Sequence, residues 1–354
     1  MGKPNSYQEA GYRVPQEPLM NAPKKQRRAS NHKKHRVYAR WVWLLMYGGC
    51  AVVFITCAAL LVQYFSDIAS TKATSAELRA IYEEDSQTLS TALPTQQPTA
   101  LPTKALVQTT GNQPVKSKSA AEVKVQEPDF ASYWSVGYPD NPHLFTMPPF
   151  LDLLEKNKDI VGWLKIEGVL NEPVVQRDNK FYLTHNDMGK KSVTGALFLD
   201  ENCNLRLAPM RLLIHGHNMK EGAMFGALKM YKVKDASFYK QHPFIEFNTL
   251  YEQAKYVIFS VMEVDIRSDK PRFFPFWDVS DFIDRYAFDA CINTARSYSH
   301  YNSKVEVLPG DRLLTLATCL GEDDSKRLVI MARKLRPNED MLALNAAIYS
   351  TGNH

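Results

Sequence analysis

The sequence predicts a mostly β folded domain, a barrel or sandwich with helical insertions, behind a single N-terminal transmembrane helix. From Trp41 to Val62 the chain reads WVWLLMYGGCAVVFITCAALLV, twenty-two residues without a charge. Beyond Phe130, short apolar runs alternate with turn residues at the spacing of an all-β domain. Between the two lies a stretch rich in Thr, Ser, Ala, Gln, Lys and Pro, in which TALPT occurs at 91–95 and again at 99–103.

At 1.5 Å per residue the apolar run makes a helix of roughly 33 Å, matching a hydrocarbon core of ~30 Å. Trp41, Trp43 and Tyr47 near one end and Tyr64 and Phe65 at the other suit the two interfaces. A cleaved signal peptide would be shorter and closer to the N-terminus, so the segment reads as an uncleaved anchor. Residues 1–40 hold ten Lys/Arg against Glu9 and Glu17, a net charge of +8, which leaves the other 314 residues at −3 within the overall +5. Basic residues packed against the N-terminal flank keep that side in the cytoplasm and export everything beyond about residue 65. The adjacent span accounts for the basic arm, so no nucleic-acid partner is expected.

The resulting division is a basic cytoplasmic tail at 1–40, an anchor at 41–65, a low-complexity stalk at 66–129, a linker at 130–147, the folded domain at 148–336 and a C-terminal helix and tail at 337–354. Within the stalk only Ala76–Leu89 has helical character, with Leu78, Ile81 and Tyr82 on one face. The remainder offers too little apolar surface to order itself, and roughly 75 residues of coil would span ~50 Å.

Eight strands are expected in the folded domain: Ile160–Ile166, Pro173–Gln176, Gly195–Asp200, Met210–His215, Phe244–Phe247, Ala254–Val264, Arg312–Thr318 and Arg327–Leu335. The sixth is apolar throughout its middle and should be buried on both faces. Helices are expected at Pro148–Asn157, where Pro opens the first turn, and at Gly222–Tyr231 and Asn338–Tyr349. A further helix over Val279–Ser297 would carry Val279, Phe282, Ile283, Tyr286 and Ala290 on its apolar face. An 11% aromatic and 45% hydrophobic composition excludes disorder throughout, and five cysteines in 354 residues exclude a disulfide-dense mini-protein.

Two cysteines, Cys50 and Cys57, fall in the span. Of the other three, Cys203 and Cys291 read as small buried or surface thiols, with a bond between them left open. Cys319 differs, because it ends the apolar strand RLLTLATC just before the polar stretch LGEDDSK. A thiol there is held by rigid backbone yet accessible, as a nucleophile requires. If the flanking strands form a hairpin, Arg327 lies about one strand spacing (~5 Å) away, where a guanidinium could stabilise a thiolate and a developing oxyanion. His215-Gly216-His217 supplies imidazoles at the end of another strand, with Gly216 expected to allow a sharp turn. No HExxH or CxxC accompanies them, so neither metal nor cofactor is expected. A Cys–His pair for acyl transfer is the simpler arrangement, and periodicity does not choose between the two histidines.

TLATC (Thr315–Cys319), an acidic loop and then Arg327 resemble the signature of sortases, the cysteine transpeptidases of Gram-positive surfaces. DIVGWLKIEG (Asp159–Gly168), PVVQRDNKFYL (Pro173–Leu183), GALFLD (Gly195–Asp200), HGHNMKEGAMFGAL (His215–Leu228) and SFYKQHPFIEF (Ser237–Phe247) are similar, in order, to blocks of class B. The resemblance covers about 148–336 and implies an eight-stranded β-barrel. It implies His217 as the catalytic histidine, Cys319 as nucleophile, Arg327 as oxyanion and substrate-positioning group, and Thr318 as a contact to the substrate backbone. His215 stands where relatives commonly carry Tyr and is expected to play a supporting part. Asn204–Pro209 lacks the usual asparagine-centred turn, and the basic arm is longer than in most relatives.

The implied reaction is cleavage of a C-terminal sorting motif in exported proteins through a thioacyl enzyme. Transfer follows to an amine of a peptidoglycan precursor or a pilin subunit. The competing expectations are a cysteine peptidase that hydrolyses the same intermediate and a non-catalytic tethered binding module.

Overall fold

The computed structural model describes residues 32–92, 137–219, 222–233, 235–320 and 323–353. Residues up to Leu61 form one unit and Val62–His354 another. In the first, helix α1 (His32–Ala92) begins, and Trp41, Leu45, Val53, Phe54 and Leu60 are exposed on it. Within Arg40–Gln87 this helix is long and apolar enough to cross a membrane.

The second unit is built on a closed barrel. Its strands are β1 (Ile160–Ile166), β2 (Leu170–Val175), β3 (Leu197–Leu199), β4 (Arg211–His215), β5 (Phe244–Thr249), β6 (Lys255–Asp265), β8 (Leu313–Leu320) and β9 (Asp323–Lys334). They close in the order β1-β2-β3-β4-β8-β9-β6-β5. The β2–β3 and β4–β8 pairs are parallel, and the rest are antiparallel. All eight expected strands form, with ends shifted by a few residues. β6 is buried along nearly its whole length because helix α4 (Arg285–Tyr298) covers its outer face. There the Ser260 hydroxyl donates 2.6 Å to the Ala295 carbonyl.

α4 starts six residues later than expected. The Asp284 carboxylate captures the Ala287 N–H at 2.7 Å and caps the helix. The preceding residues turn toward β4 instead, where Asp281 accepts from the Met210 N–H. Phe288, Ile292 and Ala295 are the buried face, whereas Ile283 and Tyr286, expected on it, are exposed. Helix α2 (Leu151–Lys156) follows a 3-10 turn at Pro148–Phe150, and the expected helix near 222–231 is a 3-10 stretch over Phe225–Lys232. A short helix α3 (Ser237–Gln241), which periodicity did not reveal, precedes β5.

The C-terminal residues belong to the folded unit. Helix α5 (Met341–Tyr349) buries Leu344 and Ile348, and β10 (Gly352–Asn353) pairs with β7 (Tyr301–Asn302). Part of the expected linker is also packed. Tyr138 is buried and its hydroxyl donates 2.6 Å to the Leu205 carbonyl, and Met147 N–H donates to the Leu250 carbonyl. Residues 130–136 lie outside the described residues.

The main departure from the expected stalk is in its first third. From Asp67 to Glu83, α1 is packed on β1, β2 and the 187–193 loop. Leu78 is fully buried, and Tyr82 stacks on Trp163 at 4.4 Å with rings 5° from parallel. These join Phe150, Leu153, Val175, Tyr182 and Phe198 in a second apolar core outside the barrel. Polar residues complete the seam. Ser75 donates to Asp187 at 2.6 Å, Thr71 bonds Ser192 at 3.0 Å, Asp67 accepts from the Val193 N–H at 2.6 Å, and Arg79 donates to the Asn171 carbonyl at 2.6 Å. A Ser/Thr-rich composition therefore conceals a docking face, because Thr71, Thr74 and Ser75 find specific partners in Ser192 and Asp187 beside the barrel. The rest of the expected stalk, 93–129, lies outside the described residues.

Two carboxyls lie under this helix. Burial raises Asp187, while its bonds from Ser75 and Thr74 lower it less. Burial likewise pushes Glu172 up to about 7, because Arg79 offsets the lost hydration only in part and Asp187 lies nearby. Two outcomes follow. Leu78→Ala should lower unfolding free energy by ~2–5 kcal/mol, read by denaturant unfolding of the full chain in detergent. A carboxyl whose folded pKa is raised stabilises fully below its unfolded pKa, and that contribution is lost as pH rises through the folded one. Glu172→Gln should therefore stabilise the chain at about pH 8 and flatten the fall in stability between about pH 5 and pH 8, as Arg79 keeps its bonds to the Asn171 carbonyl.

Candidate active site

β4 and β8 run parallel and in register, His215 opposite Ala317. Two residues further along each strand are His217 and Cys319, so both reach the same rim of the barrel. β8 and β9 then form a tight hairpin in which Cys319 is the register partner of Arg327. The expected polar loop is thus mostly strand. Between Leu320↔Asp323 and Cys319↔Arg327 the register shifts, and the extra residues of β9 turn toward β6, where Ser325 O accepts from the Ile266 N–H. The side chain of Cys319 lies outside the described residues; its backbone position is what the register fixes.

At this rim a groove of about 410 Å³ is lined by His215, His217, Thr318 and Arg327, with Asn179, Leu183, Asp200 and Phe198 on one side and Ile266, Phe276 and Trp277 on the other. The groove thus collects the described side chains among the expected site residues. Thr318 is buried, and its hydroxyl has no hydrogen-bond partner among the described residues. Arg327 Nη1 donates to the Lys326 carbonyl at 3.0 Å.

The two histidines are held differently. His217 Nε2–H donates to the Leu183 carbonyl at 2.8 Å, so in the neutral ring Nδ1 is the basic nitrogen. Leu183 ends a 3-10 turn (Phe181–Leu183) that Asp178 opens by accepting from the N–H groups of Lys180 and Phe181. His215 Nε2 instead meets Asp200 Oδ2 at 2.9 Å, with its ring stacked on Phe198. Burial pushes the Asp200 carboxyl up, but the bonds from His215 and Asn202 outweigh it and hold it below the usual range. Both Nε2 atoms are engaged, and no group of three or more His, Cys, Asp or Glu among the described residues could hold a metal ion.

Two glycines make the site possible, one of them for an unexpected reason. A Cβ on Gly216 would come within 2.4 Å of Leu197 and 2.8 Å of Phe225, so Gly216 serves close packing and not a turn with positive φ. Gly195 has φ +61°, and a Cβ there would lie 2.6 Å from the Tyr182 carbonyl and 2.8 Å from His217 Cδ2. The Asn204–Pro209 segment contains a capped turn after all: Asn204 Oδ1 accepts from the Arg206 N–H, and Ala208 takes the left-handed conformation at φ 48°.

Cys203 and Cys291 are both free thiols. Burial pushes Cys203 up to about 12 and also raises Cys291, so neither is a ready thiolate.

A sortase domain family pattern matches residues 164–335. Sortase B of Listeria monocytogenes is 32% identical over 186 residues, covering 51% of this chain and 72% of that protein. The chain belongs to the class B sortases. Sortase B of Staphylococcus aureus is 30% identical over 193 residues, covering 53% of this chain and 75% of that protein. The sortase B–substrate complex of Staphylococcus aureus superposes with a TM-score of 0.49 at 29% identity, covering 54% of this chain and 87% of that one. This sortase is accordingly a cysteine transpeptidase with the family's closed barrel.

Asp200, Asn179, Leu183, Ile266, Phe276 and Trp277 were not foreseen as groove residues. Asp200 left a trace in the sequence, a carboxylate ending the apolar run GALFLD where a buried charge needs a partner. Substituting Gly195 by Ala should displace the His217 ring and strain the backbone by ~1–3 kcal/mol. The expected result is a fall in kcat of tenfold or more with near-native circular dichroism, and unchanged turnover would refute the crowding.

Proposed function

We propose that this sortase is anchored by residues 41–62 with its N-terminus in the cytoplasm, and that it cleaves exported proteins bearing a C-terminal sorting motif. Cys319 is the nucleophile, His217 the proton donor and acceptor, Arg327 the oxyanion group and Thr318 a contact to the donor backbone. The supporting observation is that His217, Thr318 and Arg327 line one groove while Cys319 is the strand partner of Arg327.

The Cys319 thiolate attacks the carbonyl carbon of a Thr in the motif. Arg327 balances the charge that develops on the carbonyl oxygen, and its fork of N–H donors suits that task. Collapse of the tetrahedral adduct breaks the C–N bond, and protonated His217 gives its proton to the departing amine. The product is a thioester on Cys319. A second amine, from a peptidoglycan precursor or a pilin subunit, attacks that thioester. It loses its proton to His217 and expels the thiolate, which restores the starting state. The bond from His217 Nε2 to the Leu183 carbonyl orients the ring for both transfers. Thr318 lines the same groove, and its buried hydroxyl has no hydrogen-bond partner among the described residues. Tethering enzyme and both substrates at one membrane raises their effective concentration.

Transpeptidation and hydrolysis share the thioester and differ in what resolves it. With a cleaved donor peptide, increasing amine acceptor should convert the product from free acid to amide, read by mass spectrometry. Free acid alone at every amine concentration would leave hydrolysis as the activity. Cys319→Ala should abolish turnover, and a methanethiosulfonate reagent should label wild-type Cys319 and inactivate the enzyme. Arg327→Ala should lower kcat by ~10²–10³.

A further inference from the structure

Asp200 is the hub of one groove wall. Its Oδ2 accepts from His215 Nε2 and from Asn179 Nδ2, each at 2.9 Å, and its Oδ1 accepts from the N–H and side-chain amide of Asn202 at 3.0 and 2.9 Å. Asn179 is fixed at its other end too, since its Oδ1 accepts from the Glu201 N–H at 2.9 Å. The Asp200 side chain is 4% exposed, that of His215 23%. A carboxylate is thus buried at the edge of a peptide-sized groove, and the group bonded to it that can carry a positive charge is an imidazole.

The charge of this wall depends on one proton. With His215 protonated the pair is neutral overall; with His215 neutral, the wall carries the Asp200 charge at low dielectric, where it acts strongly on neighbours. The other titratable or charged groups lining this groove among the described residues are His217 from the loop after β4 and Arg327 from β9, and the Cys319 backbone lies two residues beyond Ala317, the partner of His215 on β8. Ile266, Phe276 and Trp277 from the opposite wall bring no charge.

We propose that Asp200 and His215 form a proton-linked selectivity element that discriminates against acidic side chains in the donor peptide when His215 is neutral and tolerates them when it is protonated. This rests on the reading of the groove as the donor-peptide site. His215 is then a specificity-determining residue, and Asp200 a positioning residue that holds both His215 and Asn179.

The test compares two substrates on one enzyme, so that titration of the Cys319–His217 pair acts on both. A cleaved peptide is selected from a Thr-containing library with the full chain in detergent. Each residue N-terminal to the Thr is then replaced by Gln and, in the near-isosteric partner, by Glu. The ratio of kcat/KM for the Gln peptide to that for the Glu peptide is measured from about pH 5.5 to pH 8. At one position the ratio should rise on the order of fivefold with pH in the wild type. In His215→Tyr it should stay at its high value and become flat, because the Asp200 charge is never balanced. In Asp200→Asn it should be lower than wild type across the range. A wild-type ratio independent of pH at every position, or wild-type pH dependence surviving in His215→Tyr, would overturn the proposal. Failure of the underlying reading has a different mark: the parent peptide would be cut equally well by Cys319→Ala, which would overturn both.

Discussion

The chemistry proposed for this chain hangs on the parallel, in-register pairing of β4 with β8. His215 opposes Ala317, and both strands run toward the same rim. The residues two places beyond that pair are His217 and Cys319, separated by about a hundred positions in sequence. An antiparallel pairing would send one of them to the far end of the barrel, several strand rises of ~3.3 Å away. A slip of one residue would turn His215 and His217 out of the groove, since faces alternate along a strand. The hairpin then adds Arg327 through the antiparallel register of β8 with β9. Two pairings of opposite sense thus bring three segments to one place.

What surrounds that register keeps it from relaxing. α4 closes the outer face of β6, and the first third of the expected stalk closes β1 and β2 through Leu78 and Tyr82. Two buried carboxyls show how differently the same fold treats like groups. Asp200 accepts from four donors, including an imidazole, and remains below the usual carboxylate range. Glu172 has a contact to Arg79 at 3.3 Å and one oxygen without a partner among the described residues, and is pushed up to about 7. Hydrogen-bond donors separate the two: they outweigh burial at Asp200, whereas at Glu172 burial outweighs the Arg79 charge.

The barrel strands were legible because their apolar runs are short, bounded by turn residues and, in β6, unbroken. The cysteine and arginine were legible together because a hairpin is a local object whose register two short strands define. The docked part of α1 was not, since composition registers hydroxyl side chains only as an average: Thr71 and Ser75 look like stalk residues until Ser192 and Asp187 are placed opposite them. The start of α4 was misread for a related reason. Phe282, Ile283 and Tyr286 fit a helical stripe, but the Asp284 cap and the Asp281 bond to β4 outweigh that periodicity. Gly216 was correctly singled out and wrongly explained, because its crowding comes from Leu197 and Phe225, which are distant in sequence.

The choice between the two histidines shows where sequence stops and structure begins. His-Gly-His places two identical rings two residues apart, and nothing local distinguishes them. Their partners do. His215 Nε2 is bonded to a buried carboxylate, so its positive form is half of an ion pair and giving up a proton leaves Asp200 unbalanced. His217 Nε2 is bonded to a neutral carbonyl, which fixes the plane of the ring without binding its charge. The role proposed for His217, releasing a proton to one amine and taking one from another, is better served by the second arrangement, because the carbonyl bonded to the ring carries no net charge. The first arrangement suits a residue whose charge is read by whatever lies beside it. The two rings are thus equipped for different work by the atoms that Leu183 and Asp200 present to them.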